Sequence, residues 1–221
     1  MSSRLIALIP AYNEAQRIGD VIARTRPHVE EVVVVDDGSV DDTAMVAEKA
    51  GAKVLRHEQN LGKGGAIATA LGYFGRSDAE FAILLDADGQ HDPAEIEKFV
   101  ETARVENADI VVGTRMNDVR DMPRVRLWTN QFTSWVTGKL ARQKIPDSQC
   151  GYRLVRRTVL KDLKFSTARF ETETEMLIQA GRAGHRIANV PIRTIYEAGR
   201  ASRIHPWRDT IRFFKLVGRY W

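Results

Sequence analysis

The stretch Phe81-Ala-Ile-Leu-Leu-Asp86-Ala-Asp88-Gly-Gln90-His91-Asp92-Pro93 runs an unbroken apolar segment straight into three acids, a glutamine and a proline. An apolar run of that kind, closed by turn residues, reads as a strand buried on both faces of a mostly parallel sheet. Asp86 and Asp88 are then delivered to the carboxyl edge of the sheet, where open α/β sheets receive their ligands. Two carboxylates one residue apart, with the Gln90 amide oxygen two further on, form a hard-oxygen set suited to Mg²⁺ or Mn²⁺ that also holds a diphosphate. The same residues fit a strand followed by the acidic first turn of a helix opening at Pro93.

Outward from this segment, apolar runs alternate with amphipathic ones. Strands are expected near Leu5 to Ile9, Val32 to Asp36, Lys53 to Arg56, Phe81 to Asp86 and Asp109 to Gly113. Helices are expected near Glu14 to Arg26, Asp41 to Ala50, Gly64 to Phe74 and Pro93 to Val105. That order is the signature of βαβ units, hence an α/β fold with a mostly parallel central sheet and helices on both faces. After Gly113 the rhythm changes: a helix from Val125 to Ala141, a loop through Asp147, a strand over Tyr152 to Val155, a helix from Glu171 to Arg182 and a strand from Ile187 to Ile192. No linker or repeat divides the chain. The expectation is one domain over 1–203, with a donor-binding half to about 115 and an acceptor-facing half over 116–203. Residues 204–221 set Trp207, Ile211, Phe214 and Val217 on one face of a basic helix, which fits either docking on the core or an anionic membrane surface.

The 221 residues hold 33 basic and 29 acidic side chains, a formal charge of +4 that is too mild to indicate a nucleic-acid partner. Acids gather at strand ends of the first half and Arg and Lys thicken after Arg115, which suits a metal at one end of a cleft and phosphate at the other; ordinary solvated helix faces would look the same. Cys150 is the only cysteine, so an intramolecular disulfide framework is excluded and a reducing cytosol fits. No apolar run approaches the roughly 18 residues a membrane span needs, and there is no signal-type apolar leader. The expected location is cytoplasmic, with 204–221 available for peripheral contact at the inner face of a membrane. Oligomeric state is left open.

Three further motifs lie at the same expected edge. The first strand ends in Pro10-Ala-Tyr12-Asn13-Glu14, and the second in Asp36-Asp37-Gly38-Ser39 followed by Asp41-Asp42-Thr43. Asp36 or Asp37 offers an acceptor opposite a base N–H, and Tyr12 a ring face to cover the base; Asn13, Glu14 and Asp41 equally suit helix N-termini. Asn60-Leu-Gly62-Lys63-Gly64-Gly65-Ala66 is a glycine-rich turn opening a helix, without P-loop spacing. Its glycines permit close backbone approach and Lys63 is a mobile cation for phosphate or base.

In order and spacing, these pieces together with Gly113-Thr-Arg115, Asp147-Ser-Gln-Cys-Gly151-Tyr-Arg153, Phe170-Glu171-x-Glu173 and Pro191 to Arg203 resemble the family 2 glycosyltransferases, with their nucleotide-diphospho-sugar transferase (GT-A, Rossmann-like) fold. Within that family the chain is most similar to the dolichyl-phosphate mannose synthase and polyprenyl-phosphate glycosyltransferase branch. The resemblance implies inverting transfer from a nucleotide sugar, either GDP-mannose or a UDP-hexose, to a polyprenyl or dolichyl phosphate. It implies Asp86 and Asp88 as a DxD metal motif completed by Gln90, with Asp88 catalytic. Pro10, Tyr12, Glu14 and Asp37 are implied in nucleotide binding, Arg115 and Arg126 in holding the acceptor phosphate, and Lys63 and Arg203 near the diphosphate. A phosphate acceptor is already an anion and needs no general base; a saccharide hydroxyl needs one, for which Asp147 is the candidate. Asp147 also reads as a turn residue after Pro146.

Other readings are weaker. A sugar-phosphate nucleotidyltransferase needs a glycine-rich loop directly after the first strand, where this chain has Pro10-Ala-Tyr-Asn-Glu. A receiver-like domain, suggested by the acids at Asp36 and Asp37, does not account for the second acidic strand end. A binding subunit without turnover would have no need of both Asp86-x-Asp88 and Gly113-x-Arg115. His91 reads as hydrogen-bonded beside a helix start, with help to the metal as the alternative; Glu171 and Glu173 read as helix N-terminal acids, with contact to the acceptor or a lid as the alternative; and Cys150 reads as buried and inert.

Overall fold

The structure, a computed structural model, describes residues 4–116, 124–167, 169, 171–193 and 206–221, with the backbone alone for 124, 126 and 206–210. Its strands are β1 (Leu5–Ala11), β2 (Glu31–Asp36), β3 (Lys53–Arg56), β4 (Phe81–Leu84), β5 (Ile110–Thr114), β6 (Arg153–Arg156) and β7 (Ile187–Pro191). They form one sheet in the order β3-β2-β1-β4-β6-β5-β7. Among the described strands, β6 alone runs antiparallel to its neighbours, β4 and β5. The helices are α1 (Ile18–Thr25), α2 (Thr43–Lys49), α3 (Lys63–Arg76), α4 (Ile96–Val105), α5 (Arg124–Ala141), α6 (Glu171–Arg182) and α7 (Pro206–Tyr220).

The valine run Val32 to Val35 and the Ile6 to Ile9 segment are buried on both faces, as continuous apolar strands of a covered parallel sheet should be. β1 lies between β2 and β4, with Ala11 opposite Asp36 and Leu8 opposite Leu84. The chain order reverses there, which opens a crevice at the carboxyl ends of these strands. Because β6 is reversed, its start lies at that same edge, and Arg153 pairs with Leu84 on one side and Val112 on the other. The loop 147–152 is therefore brought beside Asp86.

Several boundaries differ from the sequence expectation for local reasons. β4 ends at Leu84, two residues before the first acid, and α1 starts at Ile18 rather than Glu14. Residues 13–17 form a turn in which Asn13 takes φ 54°; its amide donates to Ser39 Oγ at 2.9 Å and its side chain accepts from the Val40 amide at 3.0 Å. The edge loops of β1 and β2 are thus tied to each other before either helix begins. Pro27 converts the end of α1 into a short 3₁₀ turn, Arg26–His28.

A second apolar cluster joins Val136 and Leu140 of α5, Ile178 of α6 and Leu216 of α7, with Phe213, Val217 and Tyr220 packed on it. The inward face of α7 is therefore Phe213, Leu216, Val217 and Tyr220, while Ile211 and Phe214 point to solvent. This corrects the expected single face of Trp207, Ile211, Phe214 and Val217. The side chain of Trp207 lies outside the described residues.

Candidate active site

The donor side of the edge is built on Asp37. Its carboxylate accepts from His57 Nδ1 at 2.7 Å, from the Leu61 amide at 2.9 Å and from the Gly62 amide at 2.8 Å. Each charge-assisted bond of this kind contributes roughly 1.5–3 kcal/mol, so Asp37 fixes the glycine-rich turn that opens α3. Gly38 and Gly62 both adopt positive φ, 73° and 88°. At Gly38 a methyl group would also stand 2.7 Å from the Gln59 carbonyl carbon, so only glycine fits between the two loops. Asp36 is fully buried, with Oδ1 accepting from the Ser39 amide at 3.1 Å and Oδ2 3.3 Å from Arg56 Nε.

At the centre, Lys63 Nζ lies 2.7 Å from Asp86 Oδ1 and 3.3 Å from Glu173 Oε2. Burial by itself would lower Lys63, but the carboxylates of Asp86 and Glu173 reverse this and raise it, so the ammonium stays charged. Burial would likewise raise Asp86, yet the Lys63 charge, with smaller help from His91 and Arg115, holds it down to about 2. The Asp86 amide donates to His91 Nδ1 at 3.1 Å, and the His91 ring stacks on Tyr152 with centroids 4.9 Å apart. Burial depresses His91 against the pull of Asp86 and Asp88, which leaves the ring neutral with Nδ1 free to accept. The Gln90 backbone N–H donates to Asp88 Oδ1 at 3.0 Å, turning the DxD segment back on itself. Gly151 closes this cradle: a methyl there would stand 2.9 Å from Asp86 Oδ2 and 3.1 Å from Lys63 Nζ.

The far side is an ion pair between β5 and the 147–152 loop. Arg115 Nε and Nη2 each donate to Asp147 at 2.8 Å, and the Arg115 amide adds a bond at 3.1 Å. Asn130 of α5 donates to Asp147 Oδ1 at 2.8 Å. Asp147 has no solvent exposure. Burial would raise its carboxyl, but the hydrogen bonds and charge of Arg115, with Asn130, hold it below the usual carboxylate range. Behind the loop, the fully buried Arg153 donates to the carbonyls of Cys150, Glu173 and Ser148 at 2.7, 2.6 and 2.7 Å. It stitches the loop to the start of α6. Cys150 is buried, and that burial pushes its thiol up to about 12, so it is inert as a nucleophile.

The edge thus brings together Asp37, Lys63, Asp86, Asp88, Gln90, Arg115 and Asp147, while Pro10 lies near the end of β1 and Tyr12 and Glu14 in the segment that follows it. The Arg126 side chain and all of Arg203 lie outside the described residues. Asn130 carries no motif in the sequence; Glu173 and Gly151 lie in the quoted motifs, but the reach of Glu173 to Lys63 and the need for glycine against Asp86 are visible only in three dimensions. Among the described residues no cluster of three or more His, Cys, Asp or Glu side chains is poised as a closed metal cage. An open pair of carboxylates, one of them held ionised, fits Mg²⁺ or Mn²⁺, which keep waters and substrate phosphates in their shell. A separate hollow lined by Arg26, Val29, Glu30 and Lys53 lies at the opposite end of β2 and β3 and contributes nothing to this edge.

A seven-stranded sheet with one reversed strand and acids at the switch point is the arrangement of a GT-A fold. The sequence profile "Glycosyl transferase family 2" matches residues 6–164, and the chain belongs to that family. It is 34% identical over 220 residues to the UDP-N-acetylglucosamine--dolichyl-phosphate N-acetylglucosaminyltransferase of Methanococcus voltae, covering 89% of this chain and 88% of that one. It is 27% identical to the polyprenol monophosphomannose synthase of Mycolicibacterium smegmatis, covering 86% of this chain and 77% of that one. In fold it is similar to glucosyl-3-phosphoglycerate synthase from Mycobacterium tuberculosis, solved with Mn²⁺, uridine diphosphate and phosphoglyceric acid. The TM-score is 0.70 at 23% identity, covering 98% of this chain and 76% of that one.

Proposed function

We propose that this glycosyltransferase moves a hexose, with inversion and with the aid of Mg²⁺ or Mn²⁺, from GDP-mannose or a UDP-sugar to a polyprenyl or dolichyl phosphate. The observation that carries the choice of acceptor is the state of Asp147. A carboxylate already accepting from Arg115 and Asn130, with its affinity for protons lowered, is a poor general base. A phosphate monoester needs none. The printed names of the relatives in Methanococcus voltae and Mycolicibacterium smegmatis support the same acceptor class.

A divalent ion on Asp86 and Asp88, completed by Gln90, would supply Lewis-acid stabilisation of the departing diphosphate. Lys63 adds a second positive charge beside Asp86, and Asp37 holds the turn from which Lys63 projects. Pro10, Tyr12 and Glu14 form the wall facing the nucleotide. Arg115 suits the acceptor phosphate because a guanidinium grips oxyanions in a fixed geometry. Asp147 orients that guanidinium and acts as a positioning residue. Arg126 and Arg203 are assigned to the acceptor and the diphosphate respectively.

Asp88→Ala should cost on the order of 10²- to 10³-fold in transfer while leaving the melting temperature within a few degrees of wild type. Purified protein, each candidate donor, Mn²⁺ and either a polyprenyl phosphate or the free polyprenol would be assayed by mass spectrometry of the lipid product. Product from the phosphate alone is expected. Undiminished transfer by Asp88→Ala in excess chelator, or equal use of the free alcohol, would refute the reading.

A further inference from the structure

Three charged side chains from separate parts of the fold meet at Asp86. Lys63 is the first residue of α3, Asp86 follows β4, and Glu173 sits in the first turn of α6. Each end of the contact is anchored independently. Asp37 accepts from the Leu61 and Gly62 amides just before Lys63, at 2.9 and 2.8 Å, and the Glu173 carbonyl accepts from Arg153 Nη1 at 2.6 Å. Between these anchors one ammonium serves two carboxylates, 2.7 Å from Asp86 Oδ1 and 3.3 Å from Glu173 Oε2. The Glu173 side chain is the more enclosed of the two, 9% exposed against 28% for Asp86.

Asp86 therefore has two claimants. The ammonium holds Oδ1 in the structure, and the same carboxylate is the first acid of the pair assigned above to a divalent ion. Two cations on one partly buried carboxylate repel each other strongly. A lysine can yield, because its charge is a compact point on a flexible four-carbon stem with three rotatable donors, and Glu173 already lies within its reach.

We propose that Lys63 is a resident counter-ion that gives up Asp86 when the divalent ion binds, and that Glu173 is the positioning residue that keeps the ammonium in the site. The inference rests on the metal reading under Proposed function. Kept by Glu173, the ammonium stays beside the acids where the negative charge of a diphosphate must be met. Without Lys63, Asp86 and Glu173 lose the cation they share, and a divalent ion enters against less resistance. Without the Glu173 charge, the ammonium has a stronger hold on Asp86 and competes harder. The two substitutions thus act in opposite directions on one measured quantity. A Glu173 that bound the ion directly would give a different pattern, since its effect would not depend on Lys63.

The test is Mn²⁺ binding to the 221-residue chain, followed by loss of the free-ion electron paramagnetic resonance signal, with Mn²⁺ alone and with UDP or GDP against the same mixture lacking protein. Lys63→Gln should bind Mn²⁺ alone about tenfold more tightly than wild type. Glu173→Gln should bind it several-fold more weakly, and the double variant should fall within about twofold of Lys63→Gln. Saturating Mn²⁺ should also raise the melting temperature of Lys63→Gln by more than that of wild type, because the ion replaces the missing charge. Tighter binding does not follow from lost packing. Equal or weaker binding by Lys63→Gln, or a Glu173→Gln effect as large without Lys63 as with it, would overturn the proposal; if Asp88→Ala abolishes binding in the same assay, the metal site itself stands. Glu173→Gln retains Lys63 and is decisive even where Lys63→Gln fails to fold: unchanged or tighter binding by it overturns the proposal. Uptake that survives Asp88→Ala, or no uptake by any of these proteins with or without nucleotide, removes the metal reading and this inference with it. No acceptor is present, so the acceptor reading is untouched by every outcome.

Discussion

Asp147 shows how one residue's environment decides its chemistry. In the sequence it is either a turn residue or a base, and in the structure it is an anion clamped by Arg115 and Asn130. Its folded-state carboxyl titrates below its unfolded counterpart. Its contribution to stability is therefore complete above the unfolded value, near pH 4, and is lost as pH falls through the lower folded value. Asp147→Asn removes the charge and leaves Arg115 nearly buried without its counter-ion, which should cost roughly 3–5 kcal/mol at neutral pH. Denaturant melts of wild type and variant should differ by that amount at pH 7 and draw together as the solution is acidified from the unfolded value, near pH 4, through the lower folded value. A constant gap across that range would mean that the pair contributes through shape and not charge. On the proposed phosphate acceptor, for which Asp147 does not serve as base, the same variant should leave the acidic limb of the rate profile in place.

Among the elements, α5 and α6 carry the site's far wall, and their separation is set by small residues. A methyl at Gly181 would overlap the Ala141 carbonyl oxygen and stand 2.8 Å from the Ala141 Cβ. Both contacts involve backbone or its first side-chain atom, so neither can swing aside. Gly181→Ala should destabilise by about 1–3 kcal/mol through overpacking and loosen Arg153, which bonds the first turn of α6. Gly218, in α7, meets nothing within 4 Å; Gly218→Ala should stabilise by about 0.5–1 kcal/mol from helix propensity alone. Thermal melts of the two variants test this opposition, and shifts of the same sign would contradict it. Periodicity in the sequence located both helices within a residue or two. It did not reveal that α5 buries Asn130, Thr133, Ser134 and Thr137 together with Val136 and Leu140, because a helical wheel gives the faces but not the neighbour that each one meets.

For the whole molecule, the proposed donor and metal bind across loops from β1, β2, β4 and the start of α3, so occupancy should stabilise the folded state as a unit. Mn²⁺ with GDP or UDP at 100 times the dissociation constant should add about 2.7 kcal/mol, read as a rise in melting temperature that either component alone fails to produce in full. No shift with any nucleoside diphosphate would argue against a donor site at this edge. The sheet, its parallel first half and the acids at strand ends could be read from the chain alone, since continuous apolar runs and 3.6-residue periods are local properties of the sequence. So could Asp86, Asp88, Lys63 and Arg115, which follow strands or open helices and so must lie at one edge of a parallel sheet. Only the tertiary structure supplied the reversal of β6 that sets Gly151 against Asp86, the reach of Glu173 to Lys63, and the Asn130–Asp147–Arg115 chain. Each of these depends on contacts between residues more than ten positions apart, and such contacts are fixed by how layers pack and not by the order of side chains along any one element.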